Sequence, residues 1–152
     1  MTVREAAENE MVVELSDAAF VYDKNAHEPA VTLYIGGKVV PASEYSVAYA
    51  DNVYVGSATV TITDNAGGNY NMVTVSRNFE ITPREVTLNW PQTSFVYSGV
   101  EHECLAEVEG VLSGDVCTVN TYTGNTATAV GSYTATSSLT RTAVTTSVSA
   151  VP

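Results

Sequence analysis

The chain is poor in positive charge and in long apolar runs, and each shortage excludes a class of protein. Its 152 residues include 17 Asp and Glu against 6 Lys and Arg, a formal net charge of −11. A surface this acidic repels phosphate backbones, which excludes nucleic-acid binding as a main role. Binding to anionic membrane surfaces is disfavoured for the same reason. No apolar run approaches the roughly 20 residues of a membrane-spanning helix, so we expect no membrane insertion.

The first ten residues lack the apolar segment of a secretory signal peptide. We interpret residues 1–10 as a polar N-terminal leader. Two origins fit this interpretation: an intracellular protein, or a piece of a longer secreted protein. The repeat described below favours the second origin.

Leu, Lys and Arg are scarce, whereas Thr, Ser, Val and Tyr are abundant. β-Branched and aromatic residues fit the pleated surface of a sheet, and the scarce residues are among those that helices prefer. The composition therefore predicts an all-β fold with almost no helix.

An internal repeat with an offset of 75 residues organises the chain. Three separated blocks recur in one register without a gap, and a period of this size is a whole small domain. The blocks are Phe20-Val21-Tyr22 with Phe95-Val96-Tyr97, His27-Glu28 with His102-Glu103, and Val55-Gly56-Ser57 with Val130-Gly131-Ser132. We therefore predict two tandem domains, at residues 11–83 and 84–152.

Alternating apolar and polar residues predict short strands in both copies. Gly36-Gly37 predicts a tight hairpin turn because both positions tolerate a positive φ. Strands separated by turns at this spacing are typical of a β-sandwich. The predicted strands are 30–35, 38–40, 45–49, 58–63 and 72–81 in the first copy, and 85–90, 104–108, 116–122, 132–136 and 143–151 in the second.

The link between the copies is short, and Pro83 restricts it further. Because so few residues have little reach, we predict two domains arranged end to end.

The two cysteines, Cys104 and Cys117, flank a predicted turn at Ser113-Gly114-Asp115. If their strands form a hairpin, the thiols could face each other and form a disulfide, which would suit an extracellular protein. The alternative is two buried thiols that act as small apolar residues.

Several segments resemble bacterial Ig-like surface repeats, and the second copy resembles the MBG type, the mostly bacterial Ig-like domains. The segments are 22–31, 36–38, 45–47, 55–61, 68–70 and 79–83 in the first copy, and 108–115 and 130–134 in the second. The resemblance implies two tandem Ig-like β-sandwich domains. It also implies a non-enzymatic structural or spacer segment of a secreted or cell-surface bacterial protein, adhesins among them. The implied partners are neighbouring Ig-like repeats of a longer chain.

Two other functions stay open. The same sandwich could be a binding module for a glycan or a host protein, or a subunit of a virion or extracellular filament. The spacing of the Ser, His, Cys and acidic residues predicts no catalytic site, so we expect neither an enzyme nor a cofactor.

His27-Glu28 and His102-Glu103 contain both histidines of the chain and are candidate metal or general-base sites. Neighbouring residues of a strand point to opposite faces, so we favour a role in turns or strand edges and predict no metal ligand.

Other polar and aromatic residues also have two interpretations. The acidic turns at Asp51-Asn52, Asp64-Asn65 and Asp115 could bind calcium, although Asx turns explain them without a metal. The aromatic side chains could form a face on which sugars stack, or they could pack in the core and against neighbouring strands, which we favour. The aromatic residues concerned are Tyr22, Tyr34, Tyr45, Tyr97 and Trp90.

An intramolecular Lys–Asn cross-link would need Lys24 or Lys38, the two lysines of the chain. We do not expect this cross-link.

Overall fold

The computed structural model describes residues 4–141 and 146–148. Strands account for 47% of the residues and no helix reaches seven residues, which confirms the all-β prediction. Short 3₁₀ helices lie at Glu8–Glu10 and Ala42–Glu44. Within the described residues, no helix has the length and apolar character to cross a membrane.

The chain divides into two compact units, Met1–Thr82 and Pro83–Pro152, here called unit 1 and unit 2. Pro83 thus falls in unit 2, one residue away from the boundary drawn from the sequence.

Unit 1 contains two sheets. One has the strand order β1-β3-β4 and is antiparallel, and the other has the order β2-β7-β6-β5, in which β2 runs parallel to β7. The strands are β1 (Met11–Leu15), β2 (Ala19–Val21), β3 (Val31–Ile35), β4 (Lys38–Val39), β5 (Tyr45–Ala50), β6 (Gly56–Asp64) and β7 (Val75–Thr82).

The turn between β3 and β4 has the predicted geometry. Gly36 and Gly37 have φ values of 57° and 77°, the left-handed region that the primed hairpin turns require and that glycine enters without a steric penalty.

The core of unit 1 follows the alternation of its strands. Along β6, the side chains of Ala58, Val60 and Ile62 are buried, as the predicted face requires. The hydroxyl of Tyr45 on β5 donates a hydrogen bond to the carbonyl of Val31 on β3 at 3.2 Å and so links the two sheets. Further buried apolar residues of unit 1 are Met11, Tyr22, Leu33, Val40, Tyr45, Met72, Val75, Phe79 and Ile81.

The residues before β1 join the fold of unit 1. Ala6 forms a parallel bridge with Met72, and its main-chain N–H donates to the carbonyl of Asn71 at 2.7 Å. Arg4 forms an ion pair with Glu10. The described part of the expected leader is therefore packed on the domain that follows it.

Unit 2 contains smaller sheets. Their strand orders are β10-β8-β14, β11-β13 and β12-β9. The strands are β8 (Arg84–Asn89), β9 (His102–Glu103), β10 (Glu107–Glu109), β11 (Cys117–Thr123), β12 (Thr126–Ala127), β13 (Thr136–Arg141) and β14 (Thr146–Val148).

The two units share ladder registers at an offset of 75 residues. Three facing pairs of the β1–β3 ladder recur in the β8–β10 ladder, and three of the β5–β6 ladder recur in the β11–β13 ladder. The first set is Val12–Tyr34, Val13–Leu33 and Glu14–Thr32, which recurs as Thr87–Glu109, Leu88–Val108 and Asn89–Glu107. The second set is Ser46–Thr63, Val47–Ile62 and Ala48–Thr61, which recurs as Thr121–Ser138, Tyr122–Ser137 and Thr123–Thr136.

The strand predicted at 132–136 is wrong, because β13 begins only at Thr136. In unit 1 the corresponding stretch of β6 buries Ala58 completely, whereas the residue 75 positions later is Tyr133, which is 56% exposed. The Tyr133 hydroxyl instead donates to the Ala129 carbonyl at 3.0 Å. The Tyr133 side chain is too large for the buried site that Ala58 occupies in unit 1, which accounts for the late start of β13. Gly131 therefore does not begin a strand, whereas Gly56 begins β6.

The strand predicted at 104–108 starts late. β9 ends at Glu103, before the predicted range, and β10 begins only at Glu107. Between them, the main-chain N–H of Ala106 donates to the Tyr122 hydroxyl at 3.1 Å, and that hydroxyl donates to the Ala106 carbonyl at 3.0 Å. The Tyr122 hydroxyl therefore binds the main-chain N–H and C=O of Ala106, which would pair with a neighbouring strand if the strand were continuous. The strand predicted at 143–151 lies outside the described residues, apart from β14.

Candidate functional site

The histidine of unit 1 lies in the loop between β2 and β3. Its ring stacks on Phe20 with the ring centroids 4.7 Å apart and the planes 23° from parallel. Its main-chain N–H donates to the Asn52 carbonyl at 2.9 Å, and the Asn52 side-chain amide donates to the His27 carbonyl at 3.0 Å. These contacts hold the loop to the chain that follows β5.

A carboxylate faces the same ring. Nε2 of His27 lies 3.1 Å from Oδ1 of Asp23, and the imidazole side chain is 13% exposed. The distance suits an ion pair once the imidazole is protonated, although Nε2 has no hydrogen bond of good geometry in the described structure.

Asn25 fixes the position of that carboxylate. Its main-chain N–H donates to Oδ1 of Asp23 at 2.9 Å and its side-chain amide donates to Oδ2 at 3.0 Å, an Asx turn in which Lys24 has a φ of 74°. The side-chain hydrogen bond from Asn25 is the main cause that lowers the pKa of Asp23, and the nearby His27 lowers it further.

Unit 2 repeats the arrangement with one change. His102 stacks on Phe95 with the centroids 5.2 Å apart and the planes 28° from parallel. Its Nε2 lies 2.9 Å from the hydroxyl oxygen of Ser98, the residue 75 positions after Asp23. His102 also faces Ala127 in the β9–β12 ladder, as His27 contacts Asn52. Each unit therefore has a stacked Phe–His pair with an oxygen at Nε2, and that oxygen is charged only in unit 1.

The His-Glu dipeptides do not bring their two side chains to one site. His27 and His102 are half-buried, whereas Glu28 and Glu103 are exposed. In residues 4–141 and 146–148, no group of three or more His, Cys, Asp and Glu side chains is arranged to hold a metal ion.

Of the candidate calcium turns, the one at Asp64-Asn65 is held by bonds from Asn65, whereas Oδ1 of Asp64 is buried without a hydrogen bond among the described residues. The Asn65 amide donates to the Ser43 carbonyl at 3.0 Å, and its side-chain oxygen accepts from Ser46. Glu44, which sequence reasoning missed, accepts from the main-chain N–H of Asn69 at 2.6 Å and from its side-chain amide at 2.9 Å. These bonds anchor the loop after β6 and lower the pKa of Glu44, the Asn69 side chain being the main cause.

The two cysteines do not face each other across a hairpin. The strands on either side of the Ser113–Asp115 turn, β10 and β11, pair with β8 and β13 instead. Cys104 precedes β10, and its thiol donates to the Gln92 carbonyl at 3.0 Å. Both cysteines carry free thiols.

The candidate aromatic face divides between the core and the surface. Tyr22 and Tyr45 are buried, and Trp90 meets Tyr122 edge to face at 6.0 Å, so packing explains these residues. Tyr97 is the exception, because it is 63% exposed and lies outside any strand. Packing within a strand was the wrong expectation for that residue.

Neither a protein-family model, nor a curated protein, nor a solved structure matches this chain.

Sequence reasoning singled out both histidines but missed Asp23 and Ser98. The signal was present in the sequence, because both residues precede their histidine by four positions and lie 75 positions apart. They were missed because they differ in residue type, and the search for repeats looked for identity.

Proposed function

We propose that the chain consists of two tandem Ig-like β-sandwich domains of the MBG type. In this proposal the chain is a non-enzymatic structural segment that acts as a spacer in a bacterial secreted or cell-surface protein. The observation that carries the proposal is the repetition of two ladder registers and of the Phe–His stack at one offset. Tandem copies of one module that keep the same internal contacts are typical of extended repeat arrays, in which each repeat contacts only its neighbours.

The linker supports an extended array. β7 ends at Thr82 and β8 begins at Arg84, so Pro83 alone separates the strands. Proline fixes its own φ and disfavours the helical region for the residue before it. In the proposal, this link arranges the two domains end to end, with neighbouring repeats as partners.

Single-molecule force spectroscopy on the full chain tests the spacer function. A spacer built from two domains should give two separate unfolding events. Units of 82 and 70 residues at about 3.6 Å per residue should release roughly 30 and 25 nm of chain, less the length of each folded unit. Extension without any resisting event would contradict the proposal.

Small-angle X-ray scattering tests the end-to-end arrangement separately. We expect an elongated particle, and a variant with a long Gly-Ser insertion after Pro83 should show a broader distribution of maximum dimensions. A near-spherical particle that the insertion leaves unchanged would overturn the arrangement.

One observation favours a binding module as a second candidate. Every residue from 91 to 100 is exposed, and this segment includes Val96 at 86% and Tyr97 at 63%. Exposed apolar side chains grouped in this way mark interaction sites in many proteins. Glycan-array binding by the full chain, lost in Tyr97→Ala but kept in a Tyr54→Ala control, would favour this function over the spacer.

A further inference from the structure

The two Phe–His pairs differ in the group that faces Nε2 of the histidine. This group determines how each site interacts with a protonated imidazole. Asp23 presents a negative charge to Nε2 of His27 at 3.1 Å. Ser98 presents to Nε2 of His102, at 2.9 Å, a hydroxyl that can donate or accept. A hydroxyl can satisfy a neutral imidazole, whereas a carboxylate can only accept a hydrogen bond and favours an imidazolium.

In unit 1 the Phe20 ring also favours a protonated His27. The Phe20 ring lies parallel to the His27 ring at 4.7 Å, and the face of an aromatic ring attracts a cation at this range. Protonated His27 would therefore have two favourable partners, Phe20 and Asp23, around a side chain that is only 13% exposed.

We propose that Phe20, Asp23 and His27 form an acid-responsive clamp in unit 1. When the imidazole takes up a proton from solvent, its Nε2–H pairs with the Asp23 carboxylate and the cation lies on the Phe20 ring. This clamp holds the loop between β2 and β3 more firmly against Asn52. The counterpart in unit 2 lacks the charge and does not respond in this way.

Three other charged groups lie in the loop of the clamp or next to its contact with Asn52. Lys24 and Glu28 lie in the same loop, and Asp51 precedes Asn52, which contacts the His27 main chain. The hydrogen bonds from Asn25 lower the pKa of Asp23, which favours its ionised form.

The Asp23–His27 ion pair exists only while the imidazole carries a proton. The contribution of this pair to holding the loop should therefore be larger near pH 5 than near pH 8.

A double-mutant cycle with hydrogen exchange tests the clamp in the full chain. Asp23→Asn keeps one acceptor oxygen for the main-chain N–H of Asn25 in the Asx turn but removes the charge, and His27→Gln removes the imidazole ring. Wild type, both single variants and the double variant are compared at pH 5 and again at pH 8, using the exchange rates of amides in residues 20–30. We expect a coupling of about two- to five-fold in exchange rate at pH 5, the range for a partly exposed ion pair, and almost none at pH 8.

Unit 2 supplies the matched control. The cycle Ser98→Asn and His102→Gln should show the same small coupling at both pH values, whereas Ser98→Asp should introduce a coupling with His102 at pH 5. An Asp23–His27 coupling that is equal at pH 5 and pH 8, or is absent at both, would overturn the clamp. If a variant fails to fold, the 15N chemical shifts of the His27 ring in the wild-type chain at pH 5 decide the question, because they distinguish an imidazolium, with N–H on both nitrogens, from a neutral imidazole. A neutral ring at pH 5 contradicts the proposal.

Discussion

Unit 1 and unit 2 share ladder registers but differ in how well they bury equivalent side chains. Tyr22 of unit 1 is 2% exposed, whereas Tyr97, its counterpart, is 63% exposed. In unit 1, β6 lies between β5 and β7. The corresponding strand of unit 2, β13, pairs with β11. The two copies therefore share ladder registers, whereas equivalent side chains differ in burial.

The inward-facing positions of the central strand explain part of the difference. Val60 and Ile62 of β6 are buried, and 75 residues later the chain has Ala135 and Ser137. Replacing a large apolar group by a small or polar one removes much of the free energy gained by burial. The Ser137 hydroxyl is buried without a hydrogen-bond partner among the described residues, which adds a cost.

Exchanging Ile62 and its counterpart Ser137 should have the largest effect on the difference in stability between the two units. We expect Ile62→Ser to destabilise unit 1 by more than about 3 kcal/mol, because it creates a cavity and buries a hydroxyl. Ser137→Ile should stabilise unit 2 by about 1 kcal/mol, since the added apolar group covers a half-buried site. Amide exchange in β6 reports on unit 1, and fluorescence of Trp90, the single tryptophan, reports on unit 2. Equal and small effects at the two sites would mean that the units do not differ in packing.

The aromatic rings of the two Phe–His pairs should also differ in their contribution to stability. Phe20 contacts both His27 and Phe79, the latter edge to face at 5.8 Å, so we expect Phe20→Ala to destabilise unit 1 by about 2 kcal/mol. Phe95 is 37% exposed, and Phe95→Ala should cost less than about 1 kcal/mol. Urea titrations followed by the same two reporters measure both losses, and a larger loss for Phe95 would reverse the comparison.

The sequence predicted well the features that depend on short-range pattern. The Gly36-Gly37 turn and the buried face of β6 follow from residues close together in the chain. The repeat offset follows from comparing short patterns 75 residues apart. The late start of β13 did not follow, because it depends on whether Tyr133 fits a site lined by other strands. The contacts of Glu44 were missed for the same reason, since its partner Asn69 is 25 residues away in another loop. Asp23 contacts its own loop, and it was missed because its counterpart Ser98 is a different residue type.

Acid should affect unit 1 through a contact that involves the loop after β6. The pKa of Glu44 is lowered from its ordinary value of 4.5 by its bonds to Asn69. A carboxylate with a lowered folded-state pKa contributes stability above its ordinary pKa, and this stability is lost as the pH falls through the folded-state value. Thermal unfolding of unit 1 should therefore shift downward below about pH 4.5 in the wild type. The shift should be smaller in Glu44→Gln, and Glu14→Gln serves as an exposed control. An unchanged acid profile in Glu44→Gln would show that the contact does not depend on charge.

The smallest effect is expected from reduction. Cys104 donates its thiol to the Gln92 carbonyl, so an oxidised link between Cys104 and Cys117 would remove this hydrogen bond. A disulfide closing a loop of this size would add roughly 3 kcal/mol, and reductant would then lower the unfolding temperature clearly. We expect instead that reductant changes the unfolding temperature of unit 2 very little, and that thiol titration of protein purified without reductant counts two free thiols per chain. A mass 2 Da below the reduced value, together with a large drop on reduction, would show that unit 2 closes with a bridge that unit 1, with Pro29 and Ala42 at these positions, cannot form.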